Sequence, residues 1–131
     1  MRVAGIRTLS IRLTAQELFA LHPNIELAVC GNVKGHVFFR EHSPTVKMPV
    51  TPDSQEQFLL YYLDETFVET SRRLRPILGK TEYTLMCYER WFELFIIEGD
   101  VYLVAALSRA TDIQAIPQLA AKMHEMLLKA L

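Results

Sequence analysis

The sequence predicts a single mixed α/β (α+β) domain whose elements follow the order helix, strand, strand, long helix, strand, strand, strand, helix. Three observations support this order. The chain has 131 residues, 50% of them hydrophobic, which is enough to bury one core. β-rich runs flank tight turns at 31–35 and 98–100. Apolar residues also recur at helical spacing in two segments, which begin near positions 53 and 116.

The charge balance limits the classes of partner. Lysine and arginine total 14, aspartate and glutamate total 15, and the net charge is −1. Because a protein that coats nucleic acid needs an excess of basic side chains, we expect no nucleic-acid partner. No apolar run reaches the ~18 residues of a membrane span, and the distant Cys30 and Cys87 predict neither a disulfide framework nor a zinc site. We therefore expect a cytoplasmic protein.

The first helix is predicted from a capping box. Thr14 and Glu17 have the spacing at which a hydroxyl and a carboxylate satisfy the free amides of a helix start. Pro23 ends this segment, since the residue before a proline leaves helical backbone space. The domain is predicted to span residues 14–131. It follows an N-terminal arm, residues 1–13, whose pattern fits either a strand or irregular structure.

A β-hairpin and a loop are predicted after the first helix. The β-rich runs begin at Ile25 and at Val37, on either side of the glycine-bracketed turn at 31–35. Residues 43–52 carry three prolines, at positions 44, 49 and 52. Because proline excludes a helix or a central strand there, we predict a surface loop.

The longest helical pattern is predicted over residues 53–75. Asp53 and Glu56 form a helix start signal, and Pro76 and Gly79 are expected to end the helix. At 100° per residue, one broad apolar stripe is predicted to face the sheet. It comprises Leu59, Leu63, Phe67, Leu74 and Ile77, with Thr66 and Thr70 among them.

The opposite side of this helix carries a second apolar patch. Phe58, Tyr61 and Val68 point away from the sheet-facing stripe, and Arg72 lies at the edge of the patch. Such a patch predicts a face for a partner or for a second copy of the chain. One or two exposed aromatic side chains are also ordinary on a protein surface, so both interpretations stay open. The carboxylates of this face are interpreted as solvated charges rather than as a catalytic pair: Asp64, Glu65 and Glu69.

Three strands and a final helix complete the chain. The strands are predicted over residues 83–90, 91–97 and 101–107. The last two are almost continuously apolar, which predicts that both faces of the sheet are covered. Regular helix is predicted from Pro117, because proline fits only the first turn of a helix.

The residues themselves predict no catalytic, metal or cofactor site. None of the common phosphate-binding, zinc-protease or serine-hydrolase motifs is present. The four histidines, His22, His36, His42 and His124, are dispersed, and two imidazoles without a third ligand make a poor metal site. Cys87 lies in a predicted strand, where a small hydrophobic role is expected rather than that of a nucleophile.

The order and lengths of these segments resemble the roadblock family, named for a dynein light chain and including a bacterial gliding-motility protein that acts on a Ras-like GTPase. The likeness is carried by the hairpin at 25–39, the long helix from Asp53 and the three successive strands over 83–107, and it covers about residues 14–131. The resemblance implies a five-stranded antiparallel sheet. The long helix would lie on one face of this sheet and the two other helices on the opposite face.

The resemblance also implies how the chain assembles and acts. Members of the family dimerise through the first strand after the long helix and through that helix, carry no cofactor, and serve as adaptors or regulators of small GTPases. We therefore expect a non-enzymatic homodimer that binds a Ras-like GTPase or a larger motor or signalling assembly. It would stimulate hydrolysis, if at all, by ordering the catalytic groups of the GTPase. The implied dimer-interface residues are Tyr83, Leu85, Met86, Cys87 and Tyr88.

Two alternatives stay open at this point. A secretion-chaperone-like dimer that binds an unfolded effector has a similar size and acidity, although the helical pattern over 53–75 is long for that class. A small enzyme with a site assembled in the dimer is the second alternative. It would need a concave pocket that holds His36 or His42 beside a carboxylate.

Overall fold

The structure, a computed structural model, describes residues 10–44 and 55–131, and it describes the backbone alone for residues 55–62. Within these residues, three α-helices and five β-strands follow the predicted order. The helices are α1, Ala15–Phe19; α2, Gln55–Leu78; and α3, Ile116–Ala130. The strands are β1, Ile25–Asn32; β2, Val37–His42; β3, Thr84–Cys87; β4, Trp91–Glu98; and β5, Val101–Ser108.

The five strands form one antiparallel sheet in the order β2-β1-β5-β4-β3. Three pairs of consecutive strands are hairpins, and the pairing of β1 with β5 joins the first hairpin to the other three strands. The β4–β5 turn contains Gly99, whose φ is 62°. Glycine adopts this left-handed conformation without the steric cost that a side chain would add.

Both faces of the sheet are covered, as the apolar runs of β4 and β5 predict. On one face, α1 and α3 pack over a core that includes the fully buried Leu18, Ile96 and Met123. On the other face, α2 packs through Val68 in a smaller cluster with Phe95. Since side chains alternate along a strand, Phe95 and Ile96 of β4 enter different cores.

The predicted start of α3 is confirmed, and the capping box at the start of α1 is confirmed for Thr14 but not for Glu17. Thr14 Oγ1 accepts a 3.3 Å hydrogen bond from Glu17 N. The Thr14 hydroxyl also donates to Glu17 Oε1 at 3.1 Å, so this carboxylate binds the hydroxyl rather than a free amide. Pro117 lies in the first turn of α3. A single 3-10 turn, Ile113–Ala115, precedes it and is capped by the Asp112 side chain.

The helix α2 extends beyond its predicted end. It continues through Pro76, which lies in the last turn, where the missing N–H removes one helical hydrogen bond without breaking the helix. Gly79 then ends the helix with a φ of 86°, and its N–H donates a 2.9 Å hydrogen bond to Arg75 O. The predicted start at Asp53 and most of the proline-rich loop lie outside the described residues.

Part of the predicted N-terminal arm contacts the core. Arg12 N donates a 3.3 Å hydrogen bond to Ala130 O at the end of α3. Leu13 is buried in the core on the α3 side of the sheet. Residues 1–9 lie outside the described part of the chain, so the domain boundary at residue 14 stays a prediction.

Candidate functional site

Strand β3 forms one edge of the sheet. Its neighbour on one side is β4, and no strand of the described segments pairs with its other side. The register places Thr84 opposite Phe95 and Cys87 opposite Phe92. An open edge presents backbone N–H and C=O groups with which another strand can pair. The outer side of β3 is therefore a candidate surface for a second chain.

The backbone direction of β3 identifies the residues that face outward. Tyr88 N donates a 2.8 Å hydrogen bond to Trp91 O of β4. The backbone groups of successive residues in an antiparallel strand point alternately to its two sides. Tyr88 and Met86 therefore pair toward β4, whereas Cys87 and Leu85 direct their N–H and C=O groups to the open edge.

The side chains along β3 are largely apolar and partly accessible. Leu85 packs against the core on the α3 side, and Met86 is half-buried. Tyr83 and Tyr88 are 36% and 43% exposed, and Cys87 is exposed. The five residues predicted for the dimer interface thus lie along this one strand and at its two flanking positions. Their role in a dimer stays a prediction.

The predicted outer patch of α2 is wrong for one residue. Val68 is 1% exposed and lies in the core cluster with Phe95, so it faces the sheet. Arg72, one helical turn later, is exposed. The side chains of Phe58 and Tyr61 lie outside the described part of the structure. Their assignment to a partner or dimer face therefore stays a prediction.

The stripe predicted to face the sheet is also wrong at the end of α2. Leu74 and Ile77 are 40% and 77% exposed, and Leu78 is 73% exposed. Residues 72–78 are all exposed, so the described chain leaves the end of the helix largely accessible. Helical periodicity shows where apolar residues lie but not which element covers them. We call Leu74, Ile77 and Leu78 the terminal patch of α2.

The terminal patch lies near the start of β3. The hydroxyl oxygens of Ser71 and Thr81 are 2.5 Å apart, so the chain folds back along the last turns of α2 before it enters β3. Tyr83, the residue before β3, follows two positions later. The open edge and the terminal patch therefore belong to the same region of the molecule.

Asp64 is buried, which contradicts its prediction as a solvated surface charge. It is 2% exposed, Glu93 of β4 is 7% exposed, and the two carboxyl groups lie close enough to influence each other's pKa. Burial, and then the neighbouring Glu93, raise the pKa of Asp64 well above its ordinary range. Glu69 does fit the prediction, because it is exposed and pairs with Arg73 at 2.8 Å. The carboxyls of Asp64 and Glu93 are therefore buried inside the contact between α2 and β4 rather than displayed on the outer face of the helix.

Two grooves flank α3. One, of about 350 Å³, lies between α1 and α3, and the other, of about 530 Å³, lies between residues 80–83 and α3. Neither is lined by His36 or His42, so neither supplies the pocket that the enzyme alternative requires.

Among residues 10–44 and 55–131, no cluster of three or more His, Cys, Asp or Glu side chains could hold a metal ion. No helix in the same ranges is long and apolar enough to cross a bilayer.

Several solved structures share this architecture. A protein described as MglB with tetrameric arrangement matches with a TM-score of 0.65 and 14% identity, over 96% of this chain and 100% of that chain. The Roadblock/LC7 domain from Streptomyces avermitilis matches with a TM-score of 0.64 and 13% identity, over 87% and 91% of the two chains. The gliding protein MglB from Thermus thermophilus matches with a TM-score of 0.61 and 11% identity, over 95% and 100%.

These comparisons establish the fold. No protein-family model matches the sequence, and neither does any curated protein. The structural matches cover most of both chains at low identity. The chain therefore has a roadblock-type fold, and the predicted five-stranded sheet with α2 on one face and the other two helices on the opposite face is confirmed.

Proposed function

We propose that the chain is a non-enzymatic homodimer that binds and regulates a Ras-like small GTPase. The observation that carries this proposal is the open edge of β3, flanked by accessible tyrosines and by the terminal patch of α2. An apolar edge strand promotes uncontrolled association unless a defined partner covers it. A second copy of the chain is the occupant that such a self-complementary edge fits.

The dimer follows from pairing two copies of β3 in antiparallel orientation. A two-fold axis perpendicular to the sheet makes one continuous sheet from both protomers, and it keeps the two α2 helices on the same face. Leu85 and Cys87 would supply the new hydrogen bonds, because their backbone groups point to the open edge. The terminal patch of α2, near the start of β3, would lie close to the second copy.

The paired α2 helices are the proposed docking surface for the GTPase. Phe58, Tyr61 and Arg72 are the residues proposed to contact it, and the buried Val68 is withdrawn from that set. An apolar centre with a charged rim is the usual anatomy of a protein interface. The roadblock-type fold shared with the gliding protein MglB supports this use of the surface.

The proposed role is regulatory rather than catalytic. The sequence contains no glycine-rich phosphate cradle, so nucleotide chemistry would belong to the GTPase. The dimer would act by favouring one nucleotide state or by ordering the catalytic groups of the GTPase. A regulator of this kind must discriminate between the two nucleotide states of its partner.

Titration against candidate Ras-like GTPases tests the proposal. Each GTPase is loaded with GDP or with a non-hydrolysable GTP analogue, and binding is followed by fluorescence anisotropy. We expect tighter binding of one loaded form. Arg72→Glu should weaken it by at least about tenfold, or about 1.4 kcal/mol. The control Lys122→Glu makes the same charge change on exposed α3, on the other side of the sheet, and should bind like the wild type.

Two results would contradict the proposed role. Equal affinity for the two loaded forms would remove regulation and leave an adaptor. Hydrolysis of nucleotide by this chain alone would show that it is an enzyme.

A further inference from the structure

The carboxyl pair of Asp64 and Glu93 joins α2 to β4. Along the sheet, Glu93 lies between Met86 of β3 and Ala106 of β5. Neither neighbour has a side chain that donates a conventional hydrogen bond, whereas the buried carboxyl of Asp64 approaches Glu93 from the helix above and lies close enough to influence its pKa. Val68, one turn further along α2, enters the apolar cluster on this face. The pair thus adds a polar element to the apolar contact between α2 and the sheet.

Two buried carboxyls this close can form a hydrogen bond to each other only if one of them carries a proton. Ionised carboxylates only accept hydrogen bonds, so two of them cannot bond to each other. The Oδ1 atom of Asp64 is buried and has no hydrogen-bond partner among the described residues. An unsatisfied oxygen costs less free energy on a neutral carboxyl than on a buried charge. The geometry therefore fits a pair that retains a proton when ordinary carboxyls are ionised.

The titratable groups described around the pair come from several elements of the fold. Arg40 of β2 lowers the pKa of Asp64, but by less than burial and Glu93 raise it. His42 lies two residues along the same face of β2, and Tyr88 follows β3 with a pKa that burial, Glu93 and Asp64 all raise. On α2 itself, Glu65 adds a half-buried carboxyl. On the side of the sheet that α2 covers, β1 and β5 contribute the side chains of Leu27, Val29, Tyr102, Val104 and Ala106.

We propose that Asp64 and Glu93 form a proton-dependent latch that fastens α2 to β4, and that loss of the shared proton at alkaline pH releases the helix. Once the proton leaves, two negative charges face each other in a poorly solvated site, and their repulsion opposes the contact. Separation of the pair also opens the apolar contact of Val68. The latch belongs to a single chain, so it stands independently of the proposed dimer and GTPase.

The latch makes stability fall as the pH rises. A carboxyl with a raised pKa in the fold keeps a proton that the unfolded chain has already released. Between the ordinary carboxyl pKa and the raised one, each increase in pH therefore favours the unfolded or undocked state. A pair with ordinary pKa values would give no such dependence above neutral pH.

Carbon-13 NMR of the wild-type carboxyl carbons tests the latch directly. The resonances of Asp64 and Glu93 are assigned by through-bond spectra and followed between pH 4 and pH 10. We expect one carboxyl of the pair to titrate with a midpoint above pH 7. Midpoints below pH 5 for both carboxyls would overturn the proposal. This measurement needs no variant to fold.

Hydrogen exchange tests whether proton loss releases α2. Between pH 6 and pH 9.5, and after correction for intrinsic exchange rates, amides around residues 64–71 should lose at least about tenfold more protection than those of β5. Asp64→Asn keeps the shape but cannot ionise, so it should show a smaller loss. Glu69→Gln removes an exposed carboxylate from the same helix and should behave like the wild type. Equal losses in Asp64→Asn and the wild type would overturn the latch.

Discussion

Trp91 Nε1 donates a 3.0 Å hydrogen bond to Glu26 Oε2, which links β4 to β1 across the end of β5. The two strands are not neighbours in the sheet, so no backbone hydrogen bond joins them directly. The indole is half-buried and the bond has a charged acceptor, a type that contributes more than a neutral one. This pair therefore helps to fix the three central strands at one end of the sheet.

We expect Trp91→Phe to lower the free energy of unfolding by about 1 to 3 kcal/mol, because it removes the donor and leaves Glu26 without this bond. Glu26→Gln retains an acceptor oxygen and should cost less. Urea denaturation at neutral pH measures both losses. Equal stability of Trp91→Phe and the wild type would show that the bond does not hold the strands.

Val68 tests the orientation of α2. Val68→Ala should lower the free energy of unfolding by about 2 to 3 kcal/mol, because it removes two methyl groups from a closed core. Thr70→Ala truncates an exposed β-branched residue of the same helix and should change stability by less than about 0.5 kcal/mol. Thermal and urea unfolding give both values. A larger loss of stability for Thr70→Ala than for Val68→Ala would show that α2 turns toward the sheet the face that apolar periodicity predicts.

The ion pairs of Glu98 test how the stability of the fold decreases at acid pH. Its Oε2 lies 2.7 Å from His124 Nε2 and also accepts a hydrogen bond from Lys80. Burial acts to raise the pKa of Glu98, but these hydrogen bonds outweigh it and lower the pKa. This contribution is therefore present above the ordinary carboxyl pKa and is lost as the pH falls through the lowered value.

The wild type should lose stability between about pH 5 and pH 3 more steeply than Glu98→Gln, which cannot ionise. The exposed Glu82 gives a control, since Glu82→Gln should keep the wild-type slope. Melting temperatures across this range measure the difference. Matching slopes for Glu98→Gln and the wild type would contradict the assignment.

Local signals made most of the element bounds predictable. Thr14 and Pro117 act within one helical turn, and the turns at 31–35 and 98–100 act within a few residues. The pairing of β1 with β5 is different, because it joins segments that are distant in sequence. No sequence periodicity predicts this pairing. The single five-stranded sheet was therefore predicted from the resemblance to the roadblock family rather than from the residues alone.

The orientation of α2 could not be predicted from apolar periodicity. The helix buries Asp64 beside Glu93 of β4, and it exposes Leu74 and Ile77, whose turns no described element buries. One signal was available in the sequence. Glu93 interrupts a strand predicted to be covered on both faces, and a buried carboxyl there requires a polar partner.

The proposed function depends on the dimer interface formed by two copies of β3, and substitutions at Cys87 test this interface directly. Its N–H points to the open edge and its side chain is exposed, so Cys87→Pro removes an outward donor but no bond to β4. Proline is tolerated at an edge position of this kind. Cys87→Ala keeps the N–H and is the matched control.

Light scattering coupled to size exclusion, at micromolar concentration, measures the molar mass of each protein. If two copies pair through β3, the wild type and Cys87→Ala should each have about twice the chain mass of 15.1 kDa. Cys87→Pro should shift toward the mass of one chain, with an unchanged circular dichroism spectrum. A wild type that stays at the mass of one chain, or a Cys87→Pro variant that keeps the full dimer mass, would contradict dimerisation through β3.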